Sequence, residues 1–152
     1  MTLIDEAFHI LERALRRSEP YIRRELEGEH VYGIPHFIAV EELEVNGERP
    51  EGSIDVGSLD IYINLGKLAR LLERGFTRAF VEYEALHTIF HELFHYKILW
   101  RMSPEERRRY FERYESESEY RMRIEVEAEA YASYWASTVA RETGLIVPEL
   151  IR

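Results

Sequence analysis

Thr88-Ile89-Phe90-His91-Glu92-Leu93-Phe94-His95 is the stretch that decides the reading of this chain. Around it, Phe80, Val81, Leu86, Ile89, Phe90, Leu93, Phe94, Ile98 and Leu99 recur so densely that apolar residues nearly surround one helix, from Thr77 to about Trp100. Such a helix lies inside a domain. Three ionisable residues in its midst, His91, Glu92 and His95, are costly to bury unless they are hydrogen-bonded, paired or holding a metal. Residues four apart stack one turn above each other, roughly 6 Å apart, so the two imidazoles can aim at one ion. Glu92 is rotated by about 100° from His91, which lets its carboxylate reach a metal-bound water instead of the metal. Zinc lowers the pKa of such a water to about 7, and a neighbouring carboxylate can take its proton as it attacks a polarised carbonyl. The five-residue pattern alone arises by chance in roughly one chain in a few hundred of this length, so the apolar helical setting has to carry the argument against a plain solvent-facing polar stripe.

A catalytic zinc takes a third protein ligand, and the chain has no cysteine, which leaves His, Asp or Glu. In one arrangement of this motif a Gly and a further His follow at fixed distance, but those positions are Ile98 and Arg101. The last helix offers Glu125-Val126-Glu127-Ala128-Glu129-Ala130-Tyr131-Ala132, where Glu125 and Glu129 share a face and Glu127 points away. Glu125 is the expected third ligand. Ala132 and Ala136 lie along its face with Ala128 beside them, and side chains this small let two helix backbones approach closely. Glu129 is placed to accept the outward N–H of a ligating histidine, its plainer reading being a solvated charge on a Glu-rich helix. His87, one turn before His91, reads as a supporting or merely packed histidine. His9, His30 and His36 lie on other elements and read as ordinary surface or satisfied histidines.

The rest of the chain frames this pair of helices. Leu3, Ala7, Ile10, Leu11, Ala14 and Leu15 predict a packing helix from about Leu3 to Arg17, capped by Thr2. Between Ile34 and Leu65 the period changes. Phe37 to Val40, Leu43 with Val45, Ile54 with Val56, and Ile61 to Ile63 predict three or four strands, with Asn46-Gly47 the strongest turn signal. Asn64 then caps a short helix through Leu68, Leu71 and Leu72 that stops at Gly75. Ser103-Pro104-Glu105-Glu106 combines a Ser cap, a Pro at the first helical position and a Glu at the third, and so starts a surface helix. Ser116-Glu117-Ser118-Glu119 repeats the pattern and predicts the start of the last helix, which ends near Gly144.

At 152 residues with 45% apolar content, the chain suits a single domain over 1–152 that buries one core. A net charge of -9 argues against a nucleic-acid partner. No uncharged apolar run approaches the ~20 residues of a membrane span. The first residues carry acids where a signal peptide would carry positive charge, which reads as mature, cytoplasmic sequence. Mixed runs such as Glu105-Glu106-Arg107-Arg108-Arg109 suit the ion-pair networks of thermophilic proteins. Residues 145–152 are unusually apolar for a terminus, so a cover is expected. The segment either lies on the domain or enters an active-site cleft, its own or a neighbour's, as an inhibitory strand that would make the chain a zymogen.

With these residues in hand, the chain resembles the gluzincins, metallopeptidases with a His-Glu-x-x-His helix and a glutamate ligand on a later helix, and most of all the compact archaeal minigluzincins. Thr88 to His95 is also similar to the active-site helix of the ImmA/IrrE-type metallopeptidases, as is Glu125 with Ala128, Tyr131 and Ala132, and strand Ile61 to Asn64 sits upstream as in those families. The resemblance covers roughly Asp60 to Ala136. It departs at Phe94, where many relatives carry Gly before the second His. It implies an α+β, zincin-like fold: an N-terminal helix, a small twisted and mostly antiparallel sheet of three or four strands, an active-site helix, and a C-terminal glutamate helix. It further implies a zinc endopeptidase with His91, His95 and Glu125 as ligands and Glu92 as general base, acting on peptide or unfolded protein laid along a strand edge. No oxyanion stabiliser stands out, since Tyr120, Tyr131 and Tyr134 are near in sequence yet each is more simply a core or interface aromatic. A homodimer is left open. The rival readings are a zinc-binding regulatory or interaction module without hydrolysis, and a metal-free helical interaction domain.

Overall fold

A computed structural model describes residues 1–151. Its elements are α1 (Leu3–Gly28), β1 (Phe37–Val40), β2 (Gly52–Ile54), β3 (Ile61–Asn64), α2 (Leu65–Glu73), α3 (Arg78–Trp100), α4 (Pro104–Ser116) and α5 (Ser118–Thr143), followed by a 3-10 turn at Pro148–Leu150. The class is α+β, as expected. Thr2 and Asp5 close a reciprocal capping box at the start of α1. The helix then continues past Arg17 to Gly28 and carries Pro20 inside it. An interior proline costs about 3 kcal/mol. Tyr21, Ile22 and Leu26 extend the buried stripe of Ala7, Ile10, Leu11 and Ala14, and burying apolar side chains at roughly 1.5–3 kcal/mol each outweighs that cost.

The sheet has three strands in the order β1-β3-β2. β2 pairs antiparallel with β3 (Gly52↔Ile63, Ser53↔Tyr62, Ile54↔Ile61), but β1 pairs with it in parallel (Phe37↔Ile61 to Val40↔Asn64). A mostly antiparallel sheet is therefore corrected to a mixed one, with one pairing of each kind. Ile61 and Ile63 of β3 are fully buried, so the central place goes to the most apolar strand. Leu43 and Val45 form no strand. Asn46 and Gly47 do make the tight turn, with φ of 52° and 80°, yet it closes only an isolated bridge between Val45 and Glu48.

Helix α3 runs through the middle of the molecule, and α1, α2, α5 and β2 all pack on it. Its buried set includes Val81, Leu86, Ile89, Phe90, Leu93 and Leu99 together with the polar Glu82, Thr88, Glu92 and Lys97. The densest packing is with α5, where Ala128, Ala132 and Ala136 are all 0% exposed. Helix α4 has its capping box at Ser103 and Glu106 and no buried residue. The second box does not form. Ser116 still belongs to α4 and its hydroxyl donates back to Glu112 O at 2.8 Å, so the cap of α5 falls to Glu117, whose side chain makes no capping bond.

Gly144 ends α5 at φ 77°. Part of the apolar tail then lies on the domain, while Ile146, Leu150 and Ile151 stay exposed. Val147 is buried, and the Glu149 carboxylate accepts from Thr77 N and Thr77 Oγ1, both at 2.7 Å, at the start of α3. About 21 Å of helix separates Thr77 from His91. Among the described residues, no helix is long and apolar enough to cross a membrane.

Candidate metal centre

His91 and His95 stack one turn apart on α3 with ring centroids 5.1 Å from each other, and both rings face α5. Glu125 meets them there. Its Oε2 lies 3.0 Å from His91 Nε2 and its Oε1 lies 3.3 Å from His95 Nε2. The alanine face of α5 makes this reach short enough for a single glutamate. The three residues could hold a metal ion, since one donor atom from each lies within 4.8 Å of the others.

The supporting carboxylate also falls where the helical repeat puts it. Glu129 Oε1 is 2.8 Å from His91 Nδ1, so a proton kept on that nitrogen fixes the ring with Nε2 turned to Glu125. Glu129 Oε2 in turn lies 3.2 Å from His87 Nε2, which is also 3.3 Å from Ser133 Oγ. His87 thus braces Glu129 and takes no place among the three donors. Burial pulls the basicity of His87 down, while it acts on His91 against stronger opposition. Burial disfavours the His91 imidazolium, but the bond to Glu125 and the charges of Glu92, Glu125 and Glu129 outweigh it and raise the pKa to about 9. Burial likewise disfavours a charged Glu125. The contacts from His91, His95 and Tyr114 prevail and hold its carboxyl well below the usual carboxylate range.

Glu92 is 6% exposed. Burial pushes its carboxyl up, the two histidines offset this only in part, and among the described residues no hydrogen bond stabilises its charge. Strand β2 covers it. A Cβ on Gly52 would stand 2.7 Å from Thr88 Cγ2 and 3.1 Å from Glu92 Cγ, so only glycine lets the strand lie this close to the helix. The β2–β3 ladder runs through Glu51, whose O accepts from Asn64 N at 2.8 Å, and Asp55, whose N donates to Asp60 O at 2.9 Å. Antiparallel pairing alternates, so the N–H and C=O of Gly52 and Ile54 face outward along a free sheet edge beside Glu92.

One participant was not singled out in the sequence. Tyr114 on α4 donates a short hydrogen bond to Glu125 Oε1, and its ring stands edge-on to His95 at 6.4 Å. The three tyrosines considered there do other work. Tyr120 packs on Tyr110 and under Arg113, Tyr131 donates to Glu25 at 3.1 Å beneath Lys97, and Tyr134 is exposed beside Trp135. The only signal for Tyr114 is its place on the helix that precedes the glutamate helix, four residues after Tyr110. His9, His30 and His36 lie outside the cluster. No known protein family matches the chain, nor does any curated protein or solved structure.

Proposed function

We propose that this chain is a zinc-dependent endopeptidase in which His91, His95 and Glu125 hold the ion and Glu92 is the general base. The donor set fits. Two imidazoles and one carboxylate leave a tetrahedral ion one open position, the pattern of catalytic rather than structural zinc. Glu125 turns Oε2 to His91 Nε2 at 3.0 Å and Oε1 to His95 Nε2 at 3.3 Å, and one donor atom from each of the three residues lies within 4.8 Å of the others. When bound, zinc polarises a carbonyl and lowers the pKa of a water to about 7.

The protein's own groups then divide the work. Glu129 holds the His91 ring in orientation through Nδ1. Glu92 takes a proton on its carboxylate, and its raised basicity brings it nearer the neutral range where a base is most effective. The outward groups of Gly52 and Ile54 offer an extended peptide one more strand to pair with, which gives backbone affinity with little sequence preference. The observation that carries the reading is Glu92: a buried carboxylate without a hydrogen-bond donor among the described residues, next to a three-donor cluster and under a strand edge. Glu149 holds the tail at the start of α3, and self-inhibition by residues 145–151 is not part of the proposal. Glu92→Gln tests it. With zinc bound, cleavage of unstructured casein should fall by about 10²–10⁴-fold while the metal is retained, and undiminished cleavage would refute the mechanism.

A further inference from the structure

Helix α4 is attached to the molecule differently from the other long helices. It buries no residue and is strongly charged, with Glu105, Glu106, Arg107, Arg108, Arg109, Glu112, Arg113 and Glu115 among its thirteen residues. What faces the body is Tyr110 and Tyr114, while Phe111 beside them stays exposed. Tyr114 stacks on Tyr110 and on Phe111, each at 6.5 Å, and meets His95 edge-on. From these rings one polar atom reaches the candidate metal centre, the Tyr114 hydroxyl on Glu125 Oε1.

Glu125 needs such a hold. It comes from a different helix than the two histidines, has three side-chain torsions, and is 34% exposed against 16% and 11% for His91 and His95. A carboxylate that gives one oxygen to an ion can turn about its last bond unless the other oxygen is fixed. Tyrosine suits the task because only two torsions separate its hydroxyl from the backbone, and here the ring is wedged between neighbours.

We propose that Tyr114 is a positioning residue for the third ligand: its hydroxyl fixes Glu125 and so ties the docking of α4 to metal occupancy of the site. This rests on the reading of His91, His95 and Glu125 as ligands. The coupling runs both ways, because whatever the bond adds to metal affinity, bound metal returns to the docking of α4.

The test uses the full chain, Tyr114→Phe and Tyr110→Phe, each titrated with zinc against a chromophoric chelator. Amide hydrogen exchange over 104–116 is followed with and without zinc. Tyr110→Phe is the built-in control, since the Tyr110 hydroxyl is buried without a partner and its loss removes no bond from Glu125. Tyr114→Phe should weaken zinc binding about 10–100-fold, the usual effect of losing an outer partner of a ligand, and Tyr110→Phe should leave it unchanged. Zinc should slow exchange in α4 of the parent and of Tyr110→Phe, and much less in Tyr114→Phe. Equal affinities for the parent and Tyr114→Phe would overturn the proposal and leave the metal site standing, as would α4 exchange in the parent that zinc does not change. A parent chain that binds no zinc would overturn both.

Discussion

The two sides of α3 handle buried charge in opposite ways. On the side facing α1, Glu82 is 3% exposed and lies 2.5 Å from Arg17 and 3.4 Å from Arg13, while Lys97 meets Glu25 at 2.8 Å and also Glu29. Each buried charge has permanent partners of opposite sign. On the side facing α5 and β2, Glu92, Glu125 and Glu129 gather around His91, His95 and His87, and no Lys or Arg pairs with any of them among the described residues. The first side is a structural clamp that is complete in itself. The second lacks positive charge, which only a proton on an imidazole or a bound cation can supply. Glu82 is paired with arginine on one face, and the glutamates of the other face are not, where His91, His95 and Glu125 could hold a metal ion.

The contrast can be broken most forcefully on the clamp side. Arg17→Met leaves Glu82 buried with only the half-exposed Arg13 beside it, and should cost about 3 kcal/mol, toward the lower end for breaking a buried pair. Urea unfolding measures this, and a loss below about 1 kcal/mol would mean that the pair does not close that face. Zinc affinity should not change.

On the open side the expected effect is one of pH. The folded pKa of His91 is raised from 6.5 to about 9, so its proton stabilises the metal-free fold fully below 6.5, and that stability is lost as pH rises through 9. Metal must displace the same proton. Zinc affinity should therefore climb about tenfold per pH unit below 9, roughly 100-fold between pH 6 and 8, in competition titrations. A flat profile would show that His91 holds no such proton.

The smallest effect separates the two buried glutamates directly. Glu92 has a raised folded pKa, so its burial costs stability as pH rises above the ordinary carboxylate range of about 4.5. Glu92→Gln should therefore melt higher than the parent at pH 7 without metal, and the gain should vanish in acid. A lower melting temperature at pH 7 would place Glu92 with the clamped glutamates.

Much of this site is legible in the chain because helical spacing is local. The four-residue interval of His91 and His95 and of Glu125 and Glu129, with alanines along the facing helix, fixes which side chains meet once both helices form. The parts that escaped depend on distant partners. Pro20 argues locally for a break, and only the continued burial of Ile22 and Leu26 shows that α1 runs on. The parallel pairing of β1 with β3 is decided across the chain, since neither strand carries a mark of its neighbour. Ser116 has the composition of a cap, but α4 extends to claim it. Tyr114 gains its meaning only when α4 folds back over α5.

The central claim is that the open side of α3 is completed by a cation. Crystals of the chain grown with zinc and measured at the zinc absorption edge test it most directly. The account predicts one strong anomalous peak bounded by His91 Nε2, His95 Nε2 and the Glu125 carboxylate. A zinc-loaded crystal with no peak between those three residues would contradict it.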